Sequence, residues 1–474
     1  MLKDSTQSLL LQNLFELLED HRGAFRQERT FLRALALVMA ELFTFARHTV
    51  TQGMLALGLT DADLSAWYRL FSRARFHEER VVQCLFEQTL AHVSVDQPYV
   101  IGVDGVQVPR SSQKMPGTSW LKAPGTAPFM PGIHRAQRFV NGSWLLPLAE
   151  GFSRAIPLRF LPAFTEKAVL PPGLSSCKEW EAGLTFITWV RQRLDALERK
   201  LQLVLVLADG AYDKVEFWKG LPENCVAAVR TAKNRVLREL PGAYQGKGKP
   251  RKYGPKVKAP KDWLHQKGGW QKTRIQVRGR VRELTYRVEG PFLRERAPER
   301  PLFLIVQKGN TWISGKKEPK RKQRKPCYYL VSAVNRSGKW VLPLEAEALV
   351  SWLWQRWELE VTHRELKSGL GLGEKQCWNP CSAVTSVQWS AWVYALLVLA
   401  GYRTWGLFGG PKAPGRWWRG GQRWSLATLW RAYRADFWGT SEFRAIWTPT
   451  SDNWLKKEAW MIALWNSVAA SARI

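Results

Sequence analysis

WLWQRWELEVTHRELKSGLGLG, running from Trp352 to Gly373, predicts a helix with two distinct stripes. At about 100° per residue, Arg356, Glu360, His363 and Lys367 fall on one narrow face. Trp352, Leu359 and Leu366 recur at heptad spacing on a neighbouring stripe that can face a core. One carboxylate thus sits between cations, as suits a metal-binding acid whose substrate is a phosphate chain. The same spacing also suits a solvated helix with salt bridges three and four residues apart, and spacing alone leaves both open. Glu358 and Glu365 lie about 140–160° away and are poor candidates for the same task.

Composition points to the partner. Lys and Arg number 71 against 40 Asp and Glu, a net charge of +31 with a pI near 10.2. An excess of that size implies a polyanion, most often nucleic acid. Anionic membranes are the rival, but no stretch reads as the ~18 apolar residues of a spanning helix. The nearest, Ala391 to Ala400, reads as a buried helix, and MLKDSTQSLLLQ lacks a secretory layout. The expectation is a soluble cytoplasmic protein associated with the nucleoid, with no membrane partner. Length allows about three domains, and an apolar fraction of 45% allows a real core. Six cysteines form no framework, and Cys377 with Cys381 reads better as two buried thiols than as half a zinc site. Most of the 26 tryptophans belong in the core, while a few beside arginines could stack on bases.

Residues 1–95 read as a helical domain. Leu9, Leu10, Leu14, Leu17 and Leu18 make an apolar face. A short helix from Thr51 to Leu57, a turn at Gly58 and a cap at Thr60 or Asp61 outline a helix-turn-helix, a pattern any helical hairpin shares. Arg69 and Arg73 follow as candidate DNA contacts. In PYVIGVDGVQVPR, Asp104 interrupts an apolar strand, which is costly unless the acid is paired or binds metal; an edge strand facing solvent is the alternative. Two further strands with a tight turn at Asn141-Gly142 suggest a hairpin, and Lys178 to Leu197 a long helix. LQLVLVLADGAYD is a strand buried on both faces ending at Asp209, where acids face a ligand crevice. Asp213 is a weaker rival, more naturally a helix-opening residue.

Residues 231–340 read as a β-rich insertion with basic loops. Lys247 to Lys267 holds eight Lys or Arg against one acid, and Lys316 to Lys325 seven against one. Solvated charge runs are commonplace, yet at this net charge phosphate contact by Lys247, Lys249, Arg251 and Lys252 is favoured. Residues 341–402 return to the core, and 403–474 read as a linker and a Trp-rich helical segment that either self-associates or packs back.

The Trp352–Gly373 helix resembles the signature helix of bacterial insertion-sequence DDE transposases of the YREK group. Arg356, Glu360 and Lys367 hold the Arg, Glu and Lys spacing. The Tyr position holds Leu353, so that hydroxyl's contact to DNA is absent or supplied by Trp354 or Trp357. The Asp104 segment resembles the first strand of RNase H-like nucleases. The resemblance implies an α/β fold: an RNase H-like core of mixed sheet flanked by helices, split as 96–230 and 341–402, with an all-helical N-terminal domain and a β-rich insertion.

Asp104, Asp209 and Glu360 are then the catalytic acids. Three such carboxylates can hold two divalent cations about 4 Å apart. Oxygen donors alone favour Mg²⁺, with Mn²⁺ as substitute. Arg356 and Lys367 would clamp the flanking phosphodiester, with His363 and Arg364 as further DNA-binding residues. The family implies cleavage of double-stranded DNA at terminal inverted repeats and strand transfer into target DNA. It further implies cut-and-paste movement through a hairpin by a homodimer synapsing two ends. A nuclease that cuts without joining, or a DNA-binding protein that no longer catalyses, are the competing expectations.

Overall fold

The computed structural model describes residues 8–57, 59, 63–126, 130–244, 246, 249–314, 320–411 and 423–438. Helices α1 (Leu9–Asp20), α2 (Glu28–Phe43), α3 (Val50–Ala56), α4 (Leu64–Ser72) and α5 (Glu78–Leu90) precede the first strand. Each apolar stripe turns inward, although Leu9 at the start of α1 is exposed and Leu11 fills the inner face instead. Thr49 caps α3 and Asp63 caps α4, each accepting a backbone N–H at a helix start. The expected turn at Gly58 and caps at Thr60 and Asp61 lie outside the described residues. Arg69 and Arg73 are exposed.

The sheet begins with β1 (Tyr99–Pro109), β2 (Thr118–Lys122), β3 (Ile133–Leu145) and β4 (Ala155–Pro162). After α6 (Glu179–Ala196) come β5 (Val204–Ala208), α7 (Val215–Gly220) and β6 (Cys225–Arg230). Laterally these run β3, β1, β5, β6, with β2 and β4 both pairing along the outer side of β3; β3 is antiparallel to all three of its partners and β5 parallel to both of its own. That mixed sheet flanked by helices is the RNase H-like core the sequence leads one to expect. All of β5 is buried: Val204, Val206 and Ala208 join one apolar cluster, Leu205 and Leu207 another. Alternation along one strand thus feeds a core on each face.

The basic insertion extends this same sheet. Strands β7 (Leu237–Arg238), β8 (Gln271–Val277), β9 (Arg280–Arg294), β10 (Ala297–Gln307), β11 (Asn310–Ser314), β12 (Lys320–Arg324), β13 (Cys327–Ser332), β14 (Val334–Arg336) and β15 (Lys339–Val341) follow. β13 pairs with β6, and β10, β9 and β8 continue outward from it. The β8–β9 turn places Arg278 and Gly279 at φ +53° and +69°, as a two-residue hairpin requires.

Three expectations are corrected. Asn141-Gly142 is not a turn but the middle of β3. Gly142 is small because a β-carbon there would lie 2.5 Å from the Phe186 ring of α6, and Asn141 is buried opposite Asp104. The Trp352–Gly373 segment is two helices, α8 (Ala346–Gln355) and α9 (Trp357–Ser368), meeting at Arg356. They serve different cores: Leu349, Val350 and Leu353 of α8 pack in one cluster, and Leu366 of α9 in the other. The apolar stretch around Ala391 belongs to α10 (Pro380–Trp405), 26 residues long and apolar enough to cross a membrane, yet 94% of its apolar window is buried inside the fold. The last described helix, α11 (Leu426–Trp438), packs against α1, α2 and α10; residues 439–474 lie outside the described residues.

Candidate active site

The site forms where β5 stops and β1 runs on. Val103 pairs with Ala208, the last residue of β5, so Asp104 is the first residue of β1 beyond its parallel partner. Asp209 follows directly, and its Oδ1 accepts the Ala211 N–H at 2.8 Å, closing a single 3₁₀ turn that ends the strand. The two predicted aspartates therefore converge by topology alone: Asp209 follows the last residue of β5, and Asp104 sits beside it, midway along β1, where the parallel pairing stops.

A third carboxylate arrives from α6. Glu179 opens that helix, and one carboxylate oxygen each from Asp104, Glu179 and Asp209 lies within 4.8 Å of the others. All three side chains are partly buried. The backbone N–H of Gly105 lies on the side of Glu179 and favours its charged form, and a β-carbon at Gly105 would lie 2.5 Å from that carboxylate. Three anions so close repel by roughly 3 kcal/mol per pair at an effective dielectric of about 20. Burial, against the pull of Arg356, raises the Asp104 pKa to about 7, with Asp209, Glu179 and Glu360 adding to the rise. Glu179 is raised too, by burial and then by Asp209. An all-oxygen donor set under such repulsion fits a hard divalent cation.

From the opposite face, α9 closes on β1 because Gly102 has no side chain. A β-carbon there would meet Leu359 at 2.7 Å. This contact positions Glu360, which stands apart from the trio. Its Oε1 accepts from Arg356 Nη2 at 3.0 Å, while Nη1 of the same guanidinium lies 3.8 Å from Asp104 Oδ2. His363 Nδ1 is 4.0 Å from that oxygen, and Nε2 is 3.0 Å from Asn141 Nδ2. Burial, then Lys367 and Arg356, lowers the His363 pKa to about 3, so the imidazole is neutral. Burial also lowers Lys367, which is half-buried on the same face.

The other predicted residues disperse. Arg364, Lys249, Arg251 and Lys252 are exposed, and Lys247 lies outside the described residues. Trp354 lies under both Arg282 and Arg324, whose guanidinium carbons are 5.4 and 3.8 Å from its ring centre. Trp357 is 48% exposed with Arg278 at 5.9 Å. The acids set aside are structural. Glu358 is buried between Arg278 and Arg423, and Glu365 accepts from Arg154 and the Tyr394 hydroxyl. Asp213 is buried among Arg235, Arg294, Thr231 and Trp218.

Sequence reasoning did not find Glu179, Asn141 or Tyr212, whose buried hydroxyl has no hydrogen-bond partner among the described residues. A signal existed for the first: Gly105 inside an apolar strand marks a close approach, here by a carboxylate.

No curated protein matches the chain. A family model described as DDE superfamily endonuclease matches residues 14–289, more than half of the sequence. The match spans Asp104, Glu179 and Asp209 and ends before Glu360. With the acidic centre where β5 ends beside β1 and a match of that extent, the chain belongs to the DDE superfamily endonucleases, as a DDE transposase-type protein.

Proposed function

We propose that this chain is a DNA transposase that cuts at the ends of its own element and joins the freed 3′ ends to target DNA. The observation that carries the reading is the meeting of Asp104, midway along β1, with Asp209 just past the end of β5, and Glu360 one guanidinium away. Asp104, Asp209 and Glu360 would hold two Mg²⁺ ions, or Mn²⁺, which supply acidity to an attacking water or 3′-hydroxyl and neutralise the phosphate.

The chain's own groups do the rest. Arg356 neutralises Asp104 and Glu360 in the resting protein and is placed to trade that pairing for an incoming phosphodiester. Lys367 adds a second cation on the same helix face. His363, neutral, packs against Asp104 without adding charge. The exposed basic loop at Lys249, Arg251 and Lys252 suits backbone contact to double-stranded DNA.

In this reading the protein acts in the cytoplasm on nucleoid DNA, as a homodimer bridging two inverted-repeat ends. Movement is cut-and-paste through a hairpin, a reading supported only by the resemblance of the Arg356, Glu360 and Lys367 helix to the YREK group. The test is incubation of the full-length protein with the inverted repeats flanking its own gene, target DNA and Mg²⁺. A strand-transfer product supports the reading. Nicking without joining would make it a cut-only nuclease, and binding without any metal-dependent nick an inactive derivative.

A further inference from the structure

We infer that Glu179 is a fourth carboxylate of the metal centre, binding a divalent cation directly together with Asp104 and Asp209. This rests on the metal-dependent reading above and adds to it a ligand from α6, outside the Asp104, Asp209 and Glu360 set.

Four observations carry it. First, Glu179 has a carboxylate oxygen within 4.8 Å of both aspartates, a set to which Glu360 does not belong. Second, the approach is built into the strand. The carboxylate occupies the space a β-carbon at residue 105 would take, with both of its oxygens 2.6 Å from that position. Third, among the described residues no cation lies within ion-pair distance of Glu179 or Asp209, whereas the structural acids Glu358, Glu365 and Asp213 all have arginines. An acid serving only to open α6 would face solvent at the helix start, where it needs no second and third carboxylate beside it.

The fourth observation is independent of the acids. Tyr212 is fully buried, with its ring against Gly183, one turn along α6 from Glu179. Among the described residues its hydroxyl has no hydrogen-bond partner, and the charges acting on it are those of Glu179, Asp104 and Asp209. A buried hydroxyl that no described residue satisfies, beside three carboxylates, is one that a water held on a bound cation would satisfy.

The test is Mn²⁺ binding by full-length protein with a short DNA duplex present, read as loss of the free-ion electron paramagnetic resonance signal. Four chains are compared: wild type, Asp104→Asn, Glu179→Gln and Gly105→Ala. Glu179→Gln keeps the shape. Gly105→Ala displaces only the end of a flexible side chain, so the fold is kept while the carboxylate moves. Circular dichroism and metal-free melting confirm that each variant folds. The expected result is Mn²⁺ uptake by wild type, its loss in Asp104→Asn, and at least tenfold weaker binding in both Glu179→Gln and Gly105→Ala. If Asp104→Asn loses the ion while Glu179→Gln and Gly105→Ala bind like wild type, the role of Glu179 is overturned and the metal-dependent reading survives. If wild type takes up no Mn²⁺, that reading falls and this inference with it.

Discussion

Asn141 Nδ2 lies 3.0 Å from His363 Nε2, joining the middle of β3 to the face of α9 that carries Glu360. The amide donates, so Nε2 accepts and the ring proton sits on Nδ1, the nitrogen 4.0 Å from Asp104. Asn141→Leu keeps the branched shape but leaves Nε2 without its donor, and the Ser143 hydroxyl without its acceptor, and frees the ring to turn. Partners that orient groups around a metal site are worth about 10–100-fold. Cleavage by Asn141→Leu should fall by that factor with DNA affinity unchanged, as measured by single-turnover nicking alongside a binding isotherm. Full activity would show that the contact only packs the core.

Arg356 makes opposite predictions for binding and for chemistry. Its guanidinium pairs with Glu360 and approaches Asp104, so it competes with any cation for those oxygens. Arg356→Gln should tighten Mn²⁺ binding severalfold while slowing cleavage by about 100-fold, because the phosphate then loses its charge-assisted partner. Metal titration and nicking rates measured on one preparation read both effects. A parallel loss of metal binding and cleavage would make Arg356 a mere scaffold for the acids.

Much of this site was legible because the relevant signals are local. Asp104 breaks an apolar strand, Asp209 ends one, and Glu360 is spaced from Arg356 and Lys367 along a helix. Each pattern survives without knowledge of the fold. Glu179 was not legible, because an acid in the first turn of a helix is commonplace and only tertiary structure brings it to Gly105. Asn141-Gly142 was misread for the same reason in reverse. The dipeptide is a strong turn signal, but Gly142 answers to Phe186 of α6 and Asn141 to His363. The break between α8 and α9 also escaped, since Arg356 keeps helical dihedrals, φ −51° and ψ −31°, and nothing in the residue type marks the corner. That the insertion strands add to the core sheet depends on β13 pairing with β6, a contact between segments about a hundred residues apart.

Glu41 on α2 ties the N-terminal helices to the segment after α9. Its carboxylate bonds Lys375 Nζ at 2.9 Å and the His48 ring. Burial alone would raise its pKa, but Lys375 and His48 pull it from 4.5 to about 2. A carboxyl depressed on folding contributes stability above its unfolded value and loses it as pH falls from 4.5 toward 2. Lys375→Met leaves Glu41 buried without its strongest partner and should destabilise by about 3–5 kcal/mol. Adding Glu41→Gln should recover much of that loss. Chemical denaturation of the single and double variants checks this, and equal destabilisation in both would contradict the pairing.

His21 sets a second, higher acid window. It is fully buried against Trp392, with Nε2 3.2 Å from Gln88 Oε1, and burial lowers its pKa from 6.5 to about 4. The unfolded chain therefore takes up a proton that the folded one refuses between those values. Stability is complete above pH 6.5 and declines as pH falls toward 4, by an order of about 3 kcal/mol. His21→Leu should reduce the fall of the melting temperature between pH 6.5 and 4, with His363 still contributing its own share, while leaving the Glu41 transition at lower pH in place. An unchanged slope in that window would place the acid sensitivity elsewhere.

The basic loop after β7 separates phosphate contact from mere solubility. Lys249, Arg251 and Lys252 are exposed, and among the described residues no ion pair engages them. If they lie on the DNA backbone, each one that meets a phosphate releases a condensed counterion on binding. The triple alanine variant should then weaken binding equally for matched and scrambled end sequences. Its log–log slope against salt should be shallower by about 0.9 for each phosphate it no longer neutralises. Mn²⁺ binding at the acidic centre should not change, since the loop contributes no oxygen ligand there. Arg69→Ala on α4 with Arg73→Ala at its C-terminal cap gives the contrast: if this helix reads base edges, removing the two side chains should lower affinity for matched ends more than for scrambled ones. A steep, unaltered salt slope in the triple variant would leave those three charges as a solvated rim and move the DNA surface to the helical domain.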